Sequence, residues 1–344
     1  MTDHGDGPPQ LLGAHAGHWT GDGTGVTVII PPPGTVGSGE VRGGAPATRE
    51  FALLDPTRLV DRVDAVVMSG GSAYGLAAGH GLMDLLRERG MGVRTPHGVV
   101  PIVVGMSIFD GSVATTPPGP EAGRAAALAA WRGEPFGLGR VGAGTGASTG
   151  HWRHRTDPGG VGWAELAGSA SLRGRSPDAP LTTSQDRVRK PGYRDLDPKS
   201  PAAIAGLAGS AGPSGQSPDA PPIADVAAVV VVNAWGDVLG PDGRPLFGGP
   251  PGGPPAAAPF QSTTVACVLT NARLSKTDCY LLAQSGHSGF ARAIHPAHSR
   301  YDGDAVVALA TGDVPGVDLD LLRAVAVDVV AEAIRSAVGG EVAP

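Results

Sequence analysis

The chain has 344 residues and a formal net charge of -6, and it is 41% hydrophobic but only 4% aromatic. The acidic balance excludes a nucleic-acid role built on clustered Lys and Arg, and no apolar run approaches the ~18 residues of a membrane span. Two cysteines, Cys267 and Cys279, make no disulfide scaffold, and the N-terminus is acidic without an apolar h-region, so the expectation is a cytoplasmic protein with an aliphatic core.

Val26–Ile30 is a β-branched run bounded by glycine and prolines and reads as a strand. Asp64–Met68 reads as a buried strand entering the turn Ser69-Gly70-Gly71-Ser72. Residues 73–89 have helical composition, with Gly90 and Gly92 as stops. A strand or strand pair follows from Val99 towards Phe109, and Pro120 starts an alanine-rich helix through Trp131. Residues 169–222 carry Ser, Pro, Gly and Ala without apolar periodicity and read as a mobile insertion.

Val226–Val232 is an almost pure valine strand ending at Asn233. Residues 248–261 form a Gly- and Pro-rich linker. Order returns at Ser262-Thr263-Thr264, which opens the strand Val265–Leu269. Ser275-Lys276-Thr277-Asp278 has the form of a helix capping box, with a helix to about Ala291. Ala305–Ala310 reads as a strand and Leu319–Val338 as a long apolar-rich helix. An exposed linker thus runs directly into a polar triplet that opens a buried strand.

Several motifs invite other chemistry. The run Gly70-Gly71-Ser72-Ala73-Tyr74 is no nucleophile elbow, because Gly75 comes one place late. Gly142-Ala143-Gly144-Thr145-Gly146-Ala147 fits a loose dinucleotide fingerprint, but it follows a helix and a turn rather than a strand at the start of a βαβ unit. His295-Pro296-Ala297-His298 has an H-x-x-H form that Pro296 denies a helix, and no partner has zinc spacing. A calcium loop at 302–304 would need more oxygen ligands than that stretch offers.

The motifs in order resemble one family. They are Arg42–Glu50 with Leu54-Asp55-Pro56; Ser69–Leu76; Val100–Val103 with Ile108-Phe109-Asp110; Gly142–Ala147; Thr263-Thr264-Val265 leading to Thr270-Asn271-Ala272; Ala291–Pro296; and Tyr301-Asp302-Gly303-Asp304. The resemblance is to the L-aminopeptidase/D-esterase family of N-terminal nucleophile hydrolases, which includes β-peptidyl aminopeptidases and nylon-oligomer hydrolase. It spans nearly everything except the tails and residues 169–222.

That resemblance implies a mixed α/β (α+β) fold, a four-layer αββα sandwich shared with ornithine acetyltransferase. It also implies a single domain, 1–344, made as a precursor that cuts itself between Ser262 and Thr263 into chains 1–262 and 263–344. Register from Thr270-Asn271-Ala272 selects Thr263, although family members often carry Asn or Gly where Ser262 stands. A threonine hydroxyl is a poor nucleophile, whereas a free α-amine titrates near 7.7–8 and serves as a base on the same residue. The plain alternative for Thr263-Thr264 is β-branched strand filler.

By the same resemblance Asn233 stabilises the oxyanion, and Asp302 and Asp304 support the nucleophile. Their alternatives are a strand-end asparagine and an Asp-Gly turn. His151 stands where close relatives carry a lysine and is expected to line the site, as are Ser72, Tyr74 and Thr264. The implied reaction is amide hydrolysis on a small peptide or linear amide, with no cofactor, metal, nucleic acid or membrane, in a homo-oligomer, commonly a tetramer. The alternatives are an acyltransferase resembling ornithine acetyltransferase and a catalytically silent binding relative.

Overall fold

The structure is a computed structural model that describes residues 11–153, 155–166, 222, 224–247 and 262–339. The insertion expected at 169–222, apart from Pro222, and the linker at 248–261 lie outside the described residues. Among the described residues, ten strands and four longer helices build four layers. The first sheet contains β1 (His15–Thr20), β2 (Gly25–Ile30), β4 (Thr48–Arg49), β5 (Ala65–Ser69) and β6 (Val103–Ser107), in the order β1-β2-β5-β6-β4. The second contains β3 (Val36–Val41), β7 (Gly160–Leu166), β8 (Val226–Asn233), β9 (Thr263–Ala272) and β10 (Ala305–Val314), in the order β7-β8-β9-β10-β3.

Three apolar layers hold these parts together. Val26, Val28 and Val67 of the first sheet pack on α2 (Ala78–Glu88) and α3 (Pro120–Arg132), which follow the short α1 (Ser72–Gly75). Ile29, Val66, Met68 and Met106 face Val229, Val231, Val265, Cys267 and Leu269 across the two sheets. Val230, Val268 and Val306 pack on α4 (Lys276–Ala293) and α5 (Leu319–Val338). The order is therefore helix, sheet, sheet, helix: the expected αββα sandwich. It explains why β8 is valine and alanine as far as Asn233, since alternate residues feed two different cores and neither face is wet.

The Ser275 capping box is present: its hydroxyl accepts from the Asp278 amide, and the Asp278 carboxylate accepts from the Ser275 amide. Cys267 and Cys279 are free thiols in different core layers. The helix expected over 73–89 divides into α1 and α2 at a turn through Leu76 and Ala77. Close packing governs the other end of the molecule. A methyl added at Gly162 on β7 would lie 1.9 Å from the Ala333 carbonyl of α5. Gly162→Ala is therefore expected to cost about 3 kcal/mol, read as a drop in the urea midpoint.

Candidate active site

Thr263 is the first residue of β9, and its partner across the ladder is Asn233, the last residue of β8. Residues directly opposite on one face hold their Cβ atoms about 4.5–5.5 Å apart. Counting by twos from Val265 and Val231 puts both side chains between the sheets, and both are buried. Asn233 is pinned there. Its Nδ2 donates to the Phe109 carbonyl at 2.9 Å, and its Oδ1 accepts from the Ser148 amide at 3.0 Å. The first of these bonds ties the second sheet to the loop that leaves the first.

The bond between Ser262 and Thr263 has an unusual environment. Thr263 Oγ1 donates to the Ser262 carbonyl at 2.5 Å, and the Gly303 amide donates to the same oxygen at 3.1 Å. The hydroxyl thus sits against its own preceding carbonyl, and an N–H polarises that carbonyl. Ser262 is itself buried, and its Oγ lies 2.9 Å from His151 Nδ1. His151 Nε2 lies 2.9 Å from Ser148 Oγ. Burial lowers the His151 pKa and the nearby Asp157 offsets this only in part, so the ring stays neutral to more acidic pH than a free histidine. A neutral ring donates from one nitrogen and accepts at the other, matching a hydroxyl on each side. The two positions that depart from the family pattern, Ser262 and His151, are bonded to one another.

Asp302 and Asp304 are both buried beside this bond, and Ser262 pairs with Asp302 in a parallel bridge. Asp302 accepts from the amides of Trp235 at 3.0 Å and Ser299 at 2.8 Å. Asp304 Oδ1 accepts from the Thr264 amide at 2.8 Å, and Oδ2 from the His298 amide at 3.1 Å. Burial, followed by the charge of Asp304, pushes Asp302 up to about 7. Gly303, between the two acids, leaves no room for a side chain: a Cβ would lie 2.7 Å from Thr263 Oγ1.

The remaining expected residues fall at varying distances from this centre. Thr264 alternates to the helix-facing side with Ala266 and Val268, so only its amide reaches the carboxylates, and its own hydroxyl is buried without a partner. Ser72 and Tyr74 make no side-chain hydrogen bond to Thr263, Asn233 or the acids, and Tyr74 is largely exposed. Their turn connects only indirectly. Asp110 accepts from the Gly71 and Ser112 amides and the Thr24 hydroxyl, next to Phe109 whose carbonyl holds Asn233. In the 142–147 run, the amides of Gly142 and Ala143 donate to the Thr20 and Thr27 hydroxyls of β1 and β2. Among the described residues, no group of three or more His, Cys, Asp or Glu side chains is arranged to hold a metal. Likewise no helix among them is long and apolar enough to cross a membrane.

Two contributors escaped the sequence reading. One is the Gly303 amide, which no side-chain pattern advertises. The other is His298, read only as half of an H-x-x-H pair, whose Nδ1 lies 2.8 Å from Asp304 Oδ2.

Comparison with known proteins returns a consistent neighbourhood. The sequence profile of peptidase family S58 matches residues 12–171 and 203–340. An uncharacterized aminopeptidase of Mycobacterium tuberculosis is 38% identical over 305 residues, covering 89% of this chain and 78% of the relative. A 6-aminohexanoate-oligomer endohydrolase of Paenarthrobacter ureafaciens is 28% identical over 316 residues, covering 90% and 75%. Among solved structures, a Burkholderia sp. β-aminopeptidase superposes with TM-score 0.63 at 20% identity, covering 98% of this chain and 87% of that one. The L-aminopeptidase D-Ala-esterase/amidase of Ochrobactrum anthropi, a variant of the Ntn-hydrolase fold, gives TM-score 0.63 at 17% identity, covering 98% and 88%.

Proposed function

Because the chain belongs to peptidase family S58, the L-aminopeptidase/D-esterase family, we propose that it is a self-processing amide hydrolase that uses Thr263 as an N-terminal nucleophile. The observation that carries this reading is the contact of Thr263 Oγ1 with the Ser262 carbonyl at 2.5 Å, on an oxygen that Gly303 N–H also holds. Attack by Oγ1 on that carbonyl carbon forms an ester and expels the Thr263 nitrogen. The nitrogen takes the proton that the hydroxyl gave up and becomes a free α-amine. Water then hydrolyses the ester and separates chain 1–262 from chain 263–344. The Gly303 amide serves the oxyanion of this first reaction.

In the mature protein the same hydroxyl attacks the substrate amide, with the new α-amine as base. Asn233, held opposite Thr263, supplies an amide donor to the oxyanion, and Asp302 and Asp304 orient the amine and hydroxyl. His151 lines the site from the Ser262 side. The relatives named an aminopeptidase and a 6-aminohexanoate-oligomer endohydrolase frame the substrate as a small peptide or linear amide. Intact mass under denaturing conditions tests the reading. Two chains are expected, the smaller starting at Thr263. An undivided chain that hydrolyses amides at full rate would sink it.

The titration of Asp302 gives a second test with a defined sign. Processing precedes the amine, so its rate is expected to follow Asp302 alone and to rise with pH as the acid ionises near 7. Hydrolysis by the mature protein adds the α-amine limb, unperturbed near 7.7–8, in the same direction. Asp302→Asn is expected to flatten the processing profile around neutrality, measured by the fraction cut after timed incubations across pH. A wild-type profile that stays flat across that range removes Asp302 from the reaction.

A further inference from the structure

The strongest unassigned feature is the histidine behind Asp304. His298 lies in the turn between α4 and β10, with φ +56°, a left-handed backbone that non-glycine residues rarely adopt. That turn aims two groups of one residue at one oxygen: the His298 amide at 3.1 Å and Nδ1 at 2.8 Å both meet Asp304 Oδ2. The other ring nitrogen, Nε2, lies 3.3 Å from the His287 carbonyl. The ring packs flat on Phe290 and edge-on to His287.

Hydrogen-bond arithmetic fixes the protons. A carbonyl only accepts, so Nε2 carries a hydrogen. If Nδ1 were bare, its lone pair would face a lone pair of the carboxylate. One proton must therefore lie between Nδ1 and Oδ2. Asp304 already accepts from the Thr264 and His298 amides, so both of its oxygens serve N–H donors. The proton belongs to the ring.

We propose that His298 is a positioning residue that acts through Asp304: it is held as an imidazolium, keeps Asp304 an anion aimed at the amide behind the nucleophile, and so sets the charge that Asp302 meets. Its catalytic consequence rests on Thr263 being the nucleophile; its charge state does not.

The surroundings agree. Burial works against a charge on His298, but the Asp304 carboxylate together with the His287 carbonyl outweighs it, leaving the pKa raised. Asp302 faces the ring's partner from the same loop. From α4, His287 contributes no charge, because burial pushes it down to about 3; its Nε2 donates to the Glu40 carbonyl of β3. Arg42, just past the end of β3, opposes the imidazolium, and it pairs with Glu40 at 2.8 Å. Among the described residues, Asp304 is the one carboxylate bonded to the ring.

The test is nitrogen NMR of protein labelled with 15N-histidine, with the His298 signals assigned by their loss in His298→Gln. Both ring nitrogens of His298 are expected to be protonated at neutral pH in the wild type. In Asp304→Asn the ring is expected to turn neutral, with its single proton on Nε2. A neutral His298 in the wild type, or a ring unchanged by Asp304→Asn, overturns the proposal. The kinetic arm follows processing of His298→Gln. A fall of about tenfold is expected, with the acid limb moved to higher pH, because Asp302 then shares its pocket with an unneutralised acid. A slower reaction with an unmoved limb denotes a merely structural ring and also overturns it. If no chain is cut at all, the nucleophile reading fails, while the NMR arm still decides the charge.

Discussion

Thr263→Ala is expected to remain a single 34.3 kDa chain and to lose amide hydrolysis by about 10³-fold or more. The substitution removes the one hydroxyl that touches the Ser262 carbonyl, so neither the acyl shift nor the later acyl-enzyme has an attacking atom. Thr263→Ser keeps that atom and is expected still to be cut. Thr264→Ala is expected to be cut as well, because the reacting groups use the Thr264 amide and not its side chain, which faces the helices. Intact mass of the three variants separates the readings. Processing of the Thr263→Ala chain at the parent's rate would assign the nucleophile elsewhere, and a block at Thr264→Ala alone would move the register by one.

Gly303→Ala is expected to slow processing by about 10- to 100-fold without removing any reacting group. The added methyl would stand 2.7 Å from Thr263 Oγ1 and 2.8 Å from the Ala45 carbonyl, so either the hydroxyl or the loop must give way. A displacement approaching 1 Å at a reacting atom costs about 10²-fold. The same shift moves the Gly303 amide off the Ser262 carbonyl, which removes its polarisation. Overpacking of this kind also costs about 1–3 kcal/mol of stability. Circular dichroism and a thermal melt identify the folded fraction, and timed denaturing gels on that fraction give the rate. Parental processing in a folded Gly303→Ala protein would show that the glycine merely makes the turn.

Much of the candidate site was legible because its side chains lie in short, ordered runs. The valine run ending at Asn233, the polar triplet after the linker and the paired acids around Gly303 are local patterns, and their order along the chain carried the family resemblance. What escaped was backbone chemistry and its support. The Gly303 amide has no signature in residue type. His298 reads as one of several histidines until its ring is seen against Asp304. Besides the two-residue β4, three longer strands were missed for a related reason. β1, β3 and β7 are rich in glycine or polar residues, and their extended form comes from pairing: β3 lies on β10 through Val36–Val41, and β7 on β8 through all seven of its residues.

By itself, the amino-acid order determined which segments bury both faces, where the capped helices begin, and which threonine follows the linker. Apolar periodicity, capping and turn chemistry act over a few residues and need no knowledge of the whole. Only the tertiary structure decided that Asn233 faces Thr263, that His151 meets Ser262 across 111 positions, and that the Asn233 amide reaches the Phe109 carbonyl across 124. Those contacts depend on two sheets stacking in one register, and a one-residue slip would turn Thr263 from the space between the sheets to the helix layer.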